Sequence, residues 1–349
     1  MVEQFFKVRE HATVRGIPTF WVELEPDMQA KFRSLLSTIR SQNLIAVLSE
    51  DQGLGKISIL RAPRARRRSR LFYAALLVVT LATVCYSGFI HVKSFNESLR
   101  ELGREPVHVL SNTVAFAVSL FFILGLHELS HMFASVKHGK RPTPPMFIPG
   151  PPPLGTLGAV ILSEEPLVDM DEVLDTGFSG PLASFLVSLA VLAVGLPASV
   201  RVPEEVVARW IAAKKAQLIP TPLAYQLVEM LVARGSGAYL LSPVAWAGWA
   251  GLYVTFLNLL PIGQLDGGHI VYSLFHGRAS AHLLLSAAGL LVLFYTNPAM
   301  AILVLALLLM APSHPPPLDR VSKVAGRRRA IYLAAYALML ALSCPIPAS

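Results

Sequence analysis

The stretch LFFILGLHELSHMFASVKHGK, Leu120–Lys140, sets His127, Glu128 and His131 directly behind a run of pure hydrocarbon. Such a run reads as a helix in lipid, where each ionisable group costs kilocalories and defaults to a functional reading. His127-Glu128-Leu129-Ser130-His131 has the pattern H-E-x-x-H. On a helix its histidines lie one turn apart on one face, so both imidazoles can reach one cation about 2 Å from each nitrogen. Glu128 is placed beside them to take a proton from a water activated by that cation. A chance pattern is the competing reading, and a lipid-buried setting weakens it. Ligand type and hydrolytic geometry favour zinc, with iron and cobalt open in principle.

The remainder of the chain fits a membrane setting. Of 349 residues, 54% are hydrophobic and 15% charged, well below the roughly 25% charged of soluble domains. The apolar runs predict spans at about Leu71–Val92, Thr113–Ala134, Gly177–Ala198 and Ala245–Leu265. Two shorter runs, Ala279–Tyr295 and Ala299–Met310, are split by Asn297-Pro298, and a last short run covers Ala330–Ser343, giving six or seven spans.

The net charge of +8 is unevenly placed. Six arginines fall between Arg61 and Arg70, and a second cluster covers Arg320–Ala330. Flanking spans, such clusters read as cytoplasmic anchors, and the parity of the spans puts both on one side. A nucleic-acid patch is the weaker reading. Val200–Leu241 then lies outside, with an amphipathic helix within Thr221–Arg234 on the membrane surface. Cys85 and Cys344 sit in apolar segments, which excludes a disulfide framework and a thiolate cluster. No secretory signal is expected, because the first apolar run begins near Leu71.

Residues 1–62 predict a small cytoplasmic α+β domain. Phe5–Val14, Thr19–Glu25, Leu44–Glu50 and Lys56–Ala62 are strand-like, Asp27–Gln42 has helical spacing, and DQGLG (Asp51–Gly55) reads as a turn. The expected fold is an all-α polytopic membrane domain over 63–349, its catalytic core at about 113–270, behind that domain.

A catalytic zinc takes three protein ligands and one open position. Asp266 is the only acidic residue between Glu229 and Asp319. His131 precedes Lys137 by six residues and Lys140 by nine, and Asp266 precedes His276 by ten and Arg278 by twelve. At 1.5 Å per residue both lie roughly 10–18 Å beneath the same membrane edge if their helices continue. Pro261, Gly263, Gly267 and Gly268 break the fourth span around Asp266; broken backbone at membrane depth is tolerated only in protein or at a wet cavity. A plain helix kink is the alternative.

HELSH and the later NLLPIGQLDGG, Asn258–Gly268, resemble the site-2 protease family of intramembrane zinc metalloproteases over about Thr113–Ile270. With LGTLGAV (Leu154–Val160), the amino-terminal module is also similar to an archaeal branch and to plant chloroplast relatives. The resemblance implies one Zn2+ per chain on His127, His131 and Asp266, Glu128 as general base, and a core of the second to fourth spans. Its substrates would be transmembrane proteins. Asn258 matches the family's N-x-x-P asparagine, a candidate for polarising the scissile carbonyl or holding substrate backbone; a helix-packing amide is the alternative. Gly177–Phe185, GFSGPLASF, resembles the small-residue motif of the middle span and implies helix packing.

Between the second and third spans, prolines exclude a helix and Thr156–Leu162 is strand-like. Gly155, Thr156, Leu157 and Gly158 are therefore candidates for holding an unwound substrate by strand addition, against a plain connecting loop. His269 is a candidate oxyanion or ligand-orienting donor, against simple packing. His91, His108, His138, His276, His282 and His314 read as interfacial, and His11 belongs to the amino-terminal module. The alternative function is a metal or proton transporter built on the same histidines and aspartate, although no internal repeat is evident. An inactive homologue kept as a binding scaffold is a third reading. Expected partners are transmembrane substrates and the bilayer, with no nucleic acid; oligomeric state is not readable. The expected location is a prokaryotic cell membrane, a plastid membrane being the alternative, with the amino terminus cytoplasmic.

Overall fold

A computed structural model of the chain describes residues 1–62, 68–161, 165–232, 238–263, 265–296, 301–302, 305 and 316–346. Most of the predicted Ala299–Met310 run, His314, the middle of the Arg61–Arg70 cluster, the Asn297-Pro298 split and the end of the Thr221–Arg234 helix lie outside the described residues, as does the side chain of His282.

The amino-terminal residues form strands β1 (Val8–Val14) and β2 (Ile17–Val22), helix α1 (Met28–Arg40), and strands β3 (Leu44–Asp51) and β4 (Leu54–Arg61). They pair antiparallel in the order β1-β2-β4-β3. Asp51 pairs with Leu54, so the DQGLG turn is a two-residue hairpin with Gln52 at φ 51° and Gly53 at φ 80°; two left-handed residues suit the twist of a hairpin. Phe32, Leu35 and Ile39 of α1 are fully buried against Val22, Ala46, Leu48 and Ile57.

Among the described residues, three helices are long and apolar enough to cross a membrane: Arg70–Glu101, Val109–Lys137 and Met170–Ala198. The first is α2 (Arg70–Glu101), started by the Ser69 side chain accepting from Phe72 N. The second is α3 (Val109–Lys137), capped by His108. The third is α4 (Met170–Gly195) with a following 3-10 turn. Asp169 caps α4, accepting from Glu172 N at 3.0 Å, and Asp171 and Glu172 fill its first turn, where the helix dipole favours anions.

Short helices α5 (Glu204–Ala212) and α6 (Leu223–Val232) follow. Next comes α7 (Pro243–Leu259), which starts at the Ser242 cap with Pro243 in its first turn. Helix α7 stops six residues short of the expected end of the fourth span at Leu265, and α8 (Asp266–Leu274) begins after a break. Leu260, preceding Pro261, is extended at φ −58°, ψ 135°, as proline imposes on its predecessor. Helices α9 (Ala279–Thr296) and α10 (Gly326–Ser343) complete the described part. Between α3 and α4, strands β5 (Met146–Pro149) and β6 (Thr156–Val160) form an antiparallel hairpin.

Helix α4 is central, packing on α3, α6, α7, α8 and α10. The segment leading into it joins the amino-terminal sheet, and its first turn meets α1, where Gln29 Nε2 donates to Asp171 Oδ2 at 3.0 Å. Leu48 N donates to Leu318 O and Leu318 N to Leu167 O, at 2.8 and 3.0 Å, so two outside segments continue the β3 edge. Arg33 Nε reaches the buried Asp169 carboxylate at 2.6 Å. Arg33→Ala leaves that carboxylate without its cation. The expected loss is about 1.5–3 kcal/mol, the worth of a charge-assisted hydrogen bond, read as a lower thermal midpoint of the full chain in detergent.

Two of the histidines expected near membrane edges make contacts within the protein. Helix α2 runs nine residues past the predicted end at Val92, so His91 lies inside, its ring 3.9 Å from that of Trp246 and 5.4 Å from Phe116. His138, just past α3, pairs with Asp175 at 3.0 Å.

Candidate active site

Helix α3 carries His127 and His131 one turn apart, as the i, i+4 spacing requires. Asp266 is the first residue of α8, where the break after α7 delivers its carboxylate to the same place. His127 Nε2 and His131 Nε2 are 3.0 Å apart, and Asp266 Oδ2 is 3.3 and 3.4 Å from them. Tetrahedral bonds of about 2.0–2.1 Å put donor pairs about 3.3 Å apart, so this triangle has the dimensions of one face of a zinc site.

The protonation pattern agrees. His131 Nδ1 is 2.7 Å from Thr176 O; a carbonyl only accepts, so Nδ1 carries the hydrogen and Nε2 keeps its lone pair. His127 Nδ1 is 3.1 Å from Ser184 Oγ, which is 2.9 Å from Thr255 Oγ1, and that hydroxyl donates to Gly251 O. Hydrogen bonds running in that direction leave the second Nε2 bare as well. Three lone-pair atoms then face one another within 3.4 Å, an arrangement that repels unless a cation lies among them. The donor set fits zinc.

Helix α4 supplies the orienting groups Thr176 and Ser184, and it approaches closely because of Gly180. A Cβ at Gly180 would land on the His131 imidazole. The GFSGPLASF stretch thus brings hydroxyl and carbonyl partners along with its packing, and these the sequence reading missed. Ser184 is a hydroxyl in the middle of an apolar helix, which in sequence is indistinguishable from the small residues of a packing face. Partners of this kind tune metal affinity by about 10–100-fold. Ser184→Ala is accordingly expected to weaken zinc binding about 10-fold in a chelator competition.

Glu128 follows His127 on α3 and is 7% exposed, His127 6%. The other candidates are less closely gathered. Asn258 is half-buried one residue before the end of α7, and no hydrogen bond engages its side chain among the described residues. His269 Nδ1 is 3.0 Å from Leu265 O.

Gly155, Thr156, Leu157 and Gly158 belong to the β5–β6 hairpin, which lies on α2 and α3. Gly155, at φ +77°, is pressed so closely to Val84 and Ser87 that a Cβ would overlap them, and Thr83 Oγ1 donates to Gly155 O at 2.7 Å. Thr156 is buried with its hydroxyl on Ile148 O at 2.8 Å, whereas Leu157 is 69% exposed. Among the described residues β6 pairs with β5 alone, which leaves its other edge without a strand partner, with Gly158 N donating to the Thr156 hydroxyl at 3.1 Å.

The chain resembles known proteins across this region. It is 33% identical over 172 residues to the probable zinc metalloprotease EGY1, chloroplastic, of Arabidopsis thaliana, covering 47% of this chain and 30% of that protein. It is 29% identical over 196 residues to the probable zinc metalloprotease EGY2, chloroplastic, of the same plant, covering 54% and 34%. The chain thus spans about a third of the length of these curated relatives. No solved structure matches it. The family model for Peptidase family M50 matches residues 115–304, more than half of the chain. That stretch holds both histidines of α3, the orienting helix α4 and the aspartate that opens α8, and by this match the chain belongs to Peptidase family M50, the site-2 protease family.

Proposed function

We propose that this chain is an intramembrane zinc metalloprotease that hydrolyses peptide bonds in transmembrane segments of other proteins. The observation that carries the reading is the triangle of His127, His131 and Asp266 donor atoms, drawn from two separate helices, with buried Glu128 beside it. His127, His131 and Asp266 hold one zinc. When bound, the ion supplies Lewis acidity toward a water and toward the scissile carbonyl.

Glu128 takes the proton of the attacking water and returns it to the leaving amine. A substrate helix must unwind first, because its carbonyls are tied into its own hydrogen bonds. The edge of β6 without a strand partner offers an unwound segment main-chain partners in the manner of strand addition, and Asn258 offers an amide to hold its backbone. Helices α3, α4 and the α7–α8 pair form the catalytic core. The arginine clusters keep the amino-terminal sheet on the cytoplasmic side, in the cell membrane of a prokaryote; the two relatives named above are chloroplastic proteins.

The test is purified full chain in liposomes with a panel of single-span membrane proteins. Cleavage abolished by chelation and restored by zinc supports the protease. Metal-dependent ion flux with no peptide product would overturn it in favour of a transporter.

A further inference from the structure

Helix α10 lies beyond the stretch matched by the family model, which ends at residue 304, yet it reaches both backbone segments that position the metal-site residues. Arg328, Tyr332 and Tyr336 recur every four residues, so they form one stripe along the helix. At the first end of the stripe, the Arg328 guanidinium and the Tyr332 hydroxyl both donate to Asp175 Oδ1, the latter at 2.5 Å. His138, just past the end of α3, meets the other carboxylate oxygen at 3.0 Å. Asp175 directly precedes Thr176, whose carbonyl fixes His131 Nδ1. At the far end, the Tyr336 hydroxyl donates to Leu259 O at 2.7 Å. Leu259 is the last residue of α7, and the break that follows it delivers Asp266.

The chemistry suits both ends. A carbonyl freed where a helix breaks at membrane depth needs a donor from a neighbouring helix, and a phenol presents one on an otherwise apolar ring. Tyr336 is 7% exposed among Leu259, Val271 and Leu274, so no bulk water replaces it there. Asp175, with a side chain only 10% exposed, needs donors for both oxygens. It receives them from two helices at once, so α10 is locked to α4 one residue from the carbonyl that orients His131.

We infer that the Arg328–Tyr332–Tyr336 stripe is a positioning clamp. It holds the His131 side of the metal site through Asp175 and Thr176, and the Asp266 side through the Leu259 carbonyl. None of these three residues touches the metal; each acts by fixing a backbone segment that aims a ligand. The inference rests on the zinc site proposed above.

The test uses purified full chain in detergent, with zinc affinity from chelator competition and the visible absorption of the Co2+-substituted protein as readouts. Tyr336→Phe and Tyr332→Phe each remove one hydroxyl and keep the ring. Each is expected to weaken zinc binding about 3–10-fold, and the double variant about 10–100-fold, the range for loss of groups that orient metal ligands. The cobalt bands should shift in both single variants. Arg328→Lys should keep more affinity than Arg328→Gln. A clamp that only supports the fold would lower the thermal midpoint while zinc affinity and cobalt bands stay at parental values in the double variant, and that result overturns the inference. Parental protein that binds no stoichiometric zinc overturns the metal site itself, and the clamp with it.

Discussion

Glu128→Gln gives a protein that still carries zinc and no longer cuts membrane substrates. The amide is nearly isosteric with the carboxylate, so the α3 helix and its histidines keep their places, and none of the three donor atoms is altered. What is lost is the base that accepts the proton of the attacking water. General acid–base groups contribute about 10²–10⁴-fold to rate, and Glu128 serves in both halves of the proposed reaction, so a fall at the upper end of that range is expected. Cleavage is read by product formation from a single-span substrate at fixed protein and lipid, and zinc content is measured on the same samples. Retained cleavage with full zinc content would strip Glu128 of this role.

Asp266→Ala is expected to empty the site. Two imidazoles on one helix remain, and two ligands hold zinc far less well than three. The loss should exceed the about 10–100-fold attached to orienting partners, so protein purified through a chelator wash returns with little or no zinc and no activity. Asp266→Asn separates charge from shape. It keeps a side-chain oxygen at the start of α8 but supplies a neutral donor, and its zinc affinity should fall between parent and alanine variant. Full zinc retention in Asp266→Ala, by metal analysis of folded protein, would show that the third ligand lies elsewhere.

How far these features could be read from residue order differs from place to place. His127 and His131 announce themselves, because the i, i+4 spacing is local and an apolar helix makes polar groups conspicuous. Asp266 lies 135 residues after His131 and no local spacing links it to the histidines; it stood out as a solitary carboxylate in a glycine- and proline-broken span, at a similar expected depth, and through the NLLPIGQLDGG resemblance. The same Pro261 that drew attention to Asp266 lies in the break between the end of α7 at Leu259 and the start of α8 at Asp266. In the amino-terminal sheet, alternation and the DQGLG turn indicate strands, since hairpin contacts are short-range.

The groups that orient the imidazoles were not legible. Thr176 acts through its carbonyl, which every residue possesses, and Ser184 looks like one more small residue of a packing face. The α10 stripe was equally hidden, since Arg328, Tyr332 and Tyr336 find their partners 153, 157 and 77 residues away in sequence. Nor did the sequence reveal that β3 would gain residues 318–320 as a neighbour, because an edge strand's outer partner leaves no periodic mark. The end of α2 was hidden for a plainer reason: His91, Lys93 and Asn96 interrupt the apolar run, yet the helix continues to Glu101.

In the proposed site two imidazoles from one helix and one carboxylate from another grip a single ion. X-ray absorption at the zinc edge of purified full chain, with zinc quantified per chain, tests this most directly. One zinc per chain, with an oxygen- and nitrogen-only shell and the scattering signature of two imidazoles that disappears in His127→Ala, is the predicted result. Substoichiometric zinc, a sulfur ligand, or a spectrum indifferent to changes at His127 and Asp266 would contradict it.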